Sequence, residues 1–301
     1  MKPAAFIYLA PDSLDEALAH KSEHGEDAKP LAGGQSLIPA MNFRVAQPSI
    51  LTDLNRIAEL DFIREDNGSV SIGAMTRQSA VEKSTLIKEM APLIHETMPY
   101  IAHPQIRNRG TIGGSLAHDD PAAELPVLAI ALNAQFKVQD TKGERLIEAK
   151  DFFLGFFEVS MKAEELLTEV LFPKFPDRTG WSFQEISRRR GDFAMAGVAS
   201  VVTLDSDGAC EDVRIVLLNV GVGPVEATQA VNSLQGSKIT QKTINEAAAL
   251  AAEKDISPFG NLHATPDYQR HLTKVLVART LLQAHDRAKN LTTKTTSKNK
   301  S

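Results

Sequence analysis

The chain has one cysteine, Cys210, in 301 residues, together with a single tryptophan and three tyrosines. One thiol cannot form an internal disulfide, and it cannot supply the several thiolates that a zinc or iron–sulfur site needs. If electrons pass through this chain, their carrier is organic or sits in a partner. Long apolar runs are also missing: the longest stretch without Asp, Glu, Lys or Arg lies between Lys29 and Arg44 and contains Gly33, Gly34 and Pro39. Such a segment cannot span a bilayer as a helix. The opening residues, MKPAAFIYLAPDSLDE, leave no room for a signal-peptide apolar region, so the expectation is a cytoplasmic protein. A basic stripe interleaved with aromatics is absent and the net charge is −5, which disfavours nucleic acid as a target. No internal repeat of fixed period occurs.

What is present is an ordinary globular composition, 43% hydrophobic and 24% charged, with mass for two or three cores. The first half alternates short strands and helices. A strand is expected over 5–9, and Ser13 with Glu16 forms a capping box for a helix to about His20. Pro30 to Ala32 is a second apolar step, running directly into Gly33-Gly34-Gln35-Ser36. A short helix over 36–43 and a strand over 50–54 follow. Asn67-Gly68 between alternating stretches is a hairpin signal. An apolar stripe of Leu86, Met90, Leu93, Ile94 and Met98 predicts one helix over 86–100. A second glycine turn spans Arg109 to Ser115, and Pro121 is expected in the first turn of a helix reaching Leu132, with Asp119 or Asp120 as its cap. Strands are expected over 134–139, 145–148 and 166–172.

Pro173, Pro176 and Gly180 mark a boundary near Asp177. Beyond it three antiparallel strands (181–188, 198–204 and 213–220) and helices over 225–234, 244–254 and 266–285 predict a smaller α+β domain. The end, polar and lysine-rich, is expected to be a disordered tail over 289–301. The expected domains are therefore 1–176, with subdomains of about 1–55 and 56–176, then 177–288 and the tail.

Two similar loops carry the chemistry: Ala32-Gly33-Gly34-Gln35-Ser36, and Gly110-Thr111-Ile112-Gly113-Gly114-Ser115. Adjacent glycines bring backbone close to a ligand and let successive N–H groups point into one concavity, where an anion binds. Singly, each is the signature of a plain turn. Facing each other, two would enclose a pyrophosphate. Neither matches GxGxxG after a strand or GxxxxGK[ST], and GVGPVE at Gly221 to Glu226 has Glu where a third glycine would stand.

The stretches LAGGQSLIPAMNFR (Leu31 to Arg44), IGAMTR (Ile72 to Arg77), HPQIRNRGTIGGSLAHDDPAAELP (His103 to Pro126) and RRRGDFAMAGVA (Arg188 to Ala199) resemble the FAD-binding medium subunit of the molybdenum hydroxylases. That family includes the flavoprotein subunits of aerobic carbon monoxide dehydrogenase and xanthine dehydrogenase, and the resemblance covers nearly the whole chain. It implies an α+β architecture: a two-subdomain FAD-binding fold of the vanillyl-alcohol-oxidase (PCMH) type, then the family's C-terminal domain. It also implies non-covalent FAD. Ala32, Gly33, Gly34, Gln35, Ser36 and Leu37 would hold the pyrophosphate from one side, and Thr111, Ile112, Gly113, Gly114 and Ser115 from the other. Asp120 and Glu124 match positions of polar contacts to the dinucleotide, and Phe193 stands where some members have Tyr near the flavin ring. Gln35 replaces a His of many relatives. By charge alone, Asp119, Asp120 and Glu124 cannot sit against a pyrophosphate; Asp120 is open between cap and ligand.

The partners implied are a small subunit with two [2Fe–2S] clusters and a large subunit with the molybdenum cofactor, in a heterotrimer or a dimer of heterotrimers. Electrons would pass from those clusters through FAD to NAD⁺, oxygen or a quinone-linked acceptor. A self-contained FAD oxidase or reductase, and a scaffold without flavin, are the competing readings. His103 is expected to be structural. Arg107 and Arg109 are available to assist phosphate, Arg188 to Arg190 form a solvated charge run, and Cys210 is expected to be buried.

Overall fold

The computed structural model describes residues 1–298, with side chains as far as Leu291. Three short parallel strands, Ile7–Leu9, Ile50–Asp53 and Ala28–Leu31, lie side by side in that order. Between Ile7–Leu9 and Ala28–Leu31 in sequence runs the helix Leu14–His24, which Ser13 opens by accepting the amide of Glu16 at 3.2 Å. The Glu16 carboxylate returns to the amide of Asp12 at 2.9 Å rather than to Ser13, so the capping box is displaced by one residue. The helix passes His20 and stops at Gly25, whose φ of 52° ends it.

A five-stranded antiparallel sheet forms the second subdomain, in the order Ile63–Asp66, Ser69–Gly73, Leu166–Pro173, Gln135–Asp140, Gly143–Glu148. Asn67 and Gly68, at φ 48° and 81°, make the expected turn of its first hairpin. Helices pack on the sheet around a core that includes stacked Phe136 and Phe152, their ring centroids 4.0 Å apart. The helix expected over 86–100 is broken into Thr85–Met90, Pro92–Thr97 and a 3₁₀ turn, Met98–Tyr100. Pro92 has no N–H, and Ala91 before it is pushed out of helical geometry to φ −134°.

The last part of the chain has four antiparallel strands, Thr179–Ser187, Ala194–Leu204, Cys210–Leu218 and Val225–Glu226, where three were expected. Helices Thr228–Leu234, Gln241–Leu250 and Pro266–Lys298 cover them. The last helix is anchored by Ser200 and Thr280, whose hydroxyls meet at 2.8 Å, and by Gln269, which donates to the carbonyls of Met195 and Asn219 at 2.9 and 2.8 Å. This helix continues to Lys298, so most of the tail expected over 289–301 is helical backbone; residues 299–301 lie outside the described residues. Cys210 is buried as expected, and burial pushes its thiol up to about 12. Among the described residues no helix is long and apolar enough to cross a membrane.

One hydrophobic core is continuous across the second and third parts: Phe183, Ala194, Val201, Val216 and Leu218 pack in the same cluster as Leu93, Leu125 and Phe136. Arg287, on the last helix, reaches Glu96 at 2.8 Å and the carbonyl of Trp181 at 2.9 Å.

Candidate functional site

Strands Ala28–Leu31 and Ile50–Asp53 are parallel neighbours in the sheet, so the residues following both emerge at one edge. The first delivers Ala32, Gly33, Gly34, Gln35 and Ser36; the second delivers Leu54 and Asn55. A cavity of about 320 Å³ opens there, lined in part by Gly33, Gly34, Gln35, Asp53, Asn55 and Arg109. Among the described residues, the amides of Gly33, Gly34, Gln35, Ser36 and Leu37 donate to no protein group. Gly34 sits at φ 73°, which lets the chain turn there while leaving those donors unpaired. Gln35 turns its side-chain amide back to the Gly33 carbonyl at 3.0 Å and stiffens the loop. The Ser36 hydroxyl makes no cap bond to the helix Leu37–Asn42, so it stays available.

The second glycine pair has a different job. Gly113 and Gly114 lie inside the first turn of the helix Ile112–His118 rather than in a loop. The amides of Ile112 and Gly113 donate to the carbonyls of Thr76 and Ala74 at 3.0 and 2.8 Å, and the amide of Gly114 donates to the Thr111 hydroxyl at 3.0 Å. Ile112 and Gly113 are thus not free donors. Gly113 is small because a Cβ there would lie 2.5 Å from the Cβ of Ala74. Gly114 faces the first loop, where a Cβ would come within 3.1 Å of the Ala32 Cβ. The loops do meet: a Cβ on Gly33 would stand 2.4 Å from the Arg109 carbonyl oxygen and 2.7 Å from Gly110 Cα.

Downstream, the helix expected from Pro121 starts at Glu124. Asp120 accepts the amide of Ala122 at 2.9 Å and closes a turn ahead of that helix instead of capping it. Asp119 is the left-handed C-cap of the preceding helix, at φ 47°. It is fully buried, neither carboxyl oxygen has a partner, and burial, reinforced by the charge of Asp120, pushes its carboxyl up to about 7. Burial also pushes Glu124 up to about 7, and burial with the charge of Glu124 pushes Glu185 to about 8. Thr111, Ser115, Asp120, Glu124 and Phe193 do not line the cavity. Phe193 is 69% exposed, immediately ahead of the strand Ala194–Leu204. His103 packs against Gly191, where a Cβ would lie 2.5 Å from the ring, in keeping with a structural role. Arg107 pairs with Glu82 at 2.8 Å, which takes it away from any phosphate.

The raised Asp119 value has a testable sign. Between the ordinary carboxylate value of 3.8 and about 7, the folded protein keeps a proton that the unfolded chain has released, so stability falls as pH rises through that window. Asp119→Asn, which tolerates the left-handed backbone, should melt higher than the parent by a margin that widens to roughly 5 °C near pH 7 and then levels off. Melting curves of both proteins from about pH 5 to about pH 8 check this; a constant gap would refute it.

Asp53 and Asn55, which line the cavity, were not legible as site residues. Burial works against the Asp53 charge, but hydrogen bonds from Tyr8 and Asn55 hold the carboxyl below its ordinary range. The available signal was topological: the loop after one parallel strand implicates the residues that follow its neighbour.

Residues 4–175 match the family described as the FAD binding domain in molybdopterin dehydrogenase, and residues 181–284 match the CO dehydrogenase flavoprotein C-terminal domain. The chain belongs to this family of molybdenum hydroxylase flavoprotein subunits. It is 43% identical over 289 residues to the 6-hydroxypseudooxynicotine dehydrogenase complex subunit alpha of Paenarthrobacter nicotinovorans, covering 96% of this chain and 97% of that one. It is 40% identical over 281 residues to the carbon monoxide dehydrogenase medium chain of Hydrogenophaga pseudoflava, with 93% and 97% covered. The structure superposes on carbon monoxide dehydrogenase from Hydrogenophaga pseudoflava with a TM-score of 0.92 at 40% identity, covering 95% of this chain and 99% of the other. Quinoline 2-oxidoreductase from Pseudomonas putida 86 gives 0.90 at 35%, with 96% and 99% covered. The family's FAD-binding domain followed by its flavoprotein C-terminal domain is the architecture the resemblance implied. FAD is the family's cofactor, and its members are subunits of oxidoreductases.

Proposed function

We propose that this chain is the FAD-binding, electron-transfer subunit of a molybdenum hydroxylase complex. In that complex a small subunit carries the [2Fe–2S] clusters and a large one carries the molybdenum cofactor, and electrons leave through FAD to an external acceptor. The observation that carries the reading is the run of unengaged amides from Gly33 to Leu37 beside the cavity. Consecutive backbone donors of this kind suit a diphosphate, because they offer several hydrogen bonds without a mobile side chain.

The rest of the donor set divides the cofactor's polar groups. Arg109, at the cavity wall, would complement phosphate charge, whereas the Asp53 carboxylate would repel it and suit ribose hydroxyls instead. Ser115, in the first turn of the helix Ile112–His118, and its N-cap Thr111 would offer hydroxyls from the far side of the first loop, while Gly114 allows the close approach to Ala32. Glu124 and Asp120 lie beyond the cavity, where they suit hydroxyls or polar ring edges rather than phosphate. Phe193 offers an aromatic surface without the hydroxyl that Tyr would add. FAD, when bound, accepts and releases the electrons; no acid or base of this chain is required for that transfer. The chain's task is to hold the cofactor without a covalent bond and place it toward a partner. The single cysteine agrees, since clusters must then reside elsewhere. The Paenarthrobacter relative is named as a subunit of a dehydrogenase complex, which supports partners for this chain as well.

Purified from its native source, the protein should be accompanied by two unlike subunits, and the chain separated from them should be yellow, with the flavin band at about 450 nm. A colourless chain that takes up no FAD would overturn the reading, as would an isolated chain that bleaches its own flavin with an organic substrate.

A further inference from the structure

Arg77 stands between the two loops. Its Nη1 donates to the Arg109 carbonyl at 2.5 Å, and its Nη2 donates to Asn55 Oδ1 at 2.5 Å. Asn55 in turn donates from Nδ2 to the Ala32 carbonyl at 2.9 Å. One guanidinium therefore holds the second loop directly and the first through one side chain. The backbone around Arg77 is locked to the second loop as well: Gln78 donates to the Gly110 carbonyl at 2.9 Å, and Ile112 donates to the Thr76 carbonyl at 3.0 Å. Across the gap, Gly33 meets Arg109 and Gly110 only by close packing of backbone, which sets a minimum separation but cannot pull the loops together. The hydrogen-bonded relay supplies that pull. A planar fork with fixed donor directions suits it, because two acceptors are held at one angle by a single rigid group.

We propose that Arg77 is a positioning residue: through Asn55 and the Arg109 carbonyl it fixes the first loop against the second and so presents the amides of Gly33 to Leu37 for the diphosphate. The inference rests on the FAD-binding reading above. Arg77 acts through the two loops and not by its own contact with the cofactor.

The test uses the full chain stripped of flavin and titrated with FAD, following flavin fluorescence. Arg77→Gln should weaken FAD binding by about tenfold or more, the loss expected when two charge-assisted bonds are removed together. Arg77→Lys should fall between, since one ammonium cannot serve both acceptors in fork geometry. The gain in melting temperature on adding FAD should shrink in step, which a purely structural role would not produce. Asn55→Ala should weaken binding to a similar degree, and the double variant should lose little more than the worse single one, because both residues belong to one relay. Wild-type affinity in Arg77→Gln, or additive losses in the double variant, would overturn the proposal. If Arg77→Gln does not fold, unchanged affinity in both Arg77→Lys and Asn55→Ala overturns it equally. Parent protein that binds no FAD overturns the reading beneath it; parent binding with indifferent variants overturns this proposal alone.

Discussion

A Gly33→Val protein should emerge from purification colourless, retaining less than about a tenth of the parent's flavin under equal FAD, a loss of at least ~1.4 kcal/mol in binding. The Cβ alone would stand 2.4 Å from the Arg109 carbonyl oxygen and 2.7 Å from Gly110 Cα, and both obstacles are backbone. Neither can rotate aside, so the loops must separate, carrying away the free amides between Gly33 and Leu37. Gly34→Val acts by a different route: the residue sits at φ 73°, where a β-branched side chain is strained whatever the space. Gly114→Val meets first the Thr111 hydroxyl, at 2.7 Å, a side chain that can turn. It should therefore retain more flavin than Gly33→Val. Absorbance of the three proteins, alongside circular dichroism to show that they are folded, gives the ranking. Parent-like flavin in folded Gly33→Val would mean that the loops need not touch.

Gly180→Ala should lower the melting temperature by roughly 6 °C or more, for overpacking of ~3 kcal/mol. A Cβ at Gly180 would lie 1.9 Å from the Ala284 carbonyl oxygen and 2.5 Å from the Ala288 amide nitrogen, so the last helix packs backbone to backbone on the strand Thr179–Ser187. Accommodating one methyl requires the helix to retreat from an interface that buries Val277, Leu281 and Ala284. Flavin bound per folded molecule should be unchanged, because the atoms nearest Gly180 belong to the last helix and to neither loop. A shift under about 1 °C would show that the helix yields at little cost.

The first loop was legible because two local signals agree at one place: a strand ends at Leu31 and an adjacent glycine pair follows it. The Asn67-Gly68 hairpin was legible for the same reason. The second glycine pair looked identical in sequence yet serves another purpose. Gly113 is required by the closeness of Ala74, and Gly114 is hemmed in by the Thr111 hydroxyl and by Ala32; Ala74 and Ala32 are far away in the chain. A dipeptide cannot reveal whether its lack of side chains frees its amides or admits a neighbour. Pro121 misled by the same limit. It fits a first helical turn, but the Asp120 side chain holds the Ala122 amide in a tight turn, and the helix waits until Glu124. The cavity's Asn55 and the relay's Arg77 depended on which strands lie side by side, which no local pattern states.

The shared core has a consequence for anyone who would treat the flavin half as an interchangeable part. Phe183, Ala194, Val201, Val216 and Leu218 complete the packing of residues that belong to the five-stranded sheet's side, and Arg287 fastens the final helix to Glu96 across the same seam. Cutting near Asp177 would bare a greasy flank rather than release a portable module. A chimera that borrows the coenzyme-holding portion for another redox assembly must therefore carry the C-terminal portion with it, or redesign the flank that portion shields.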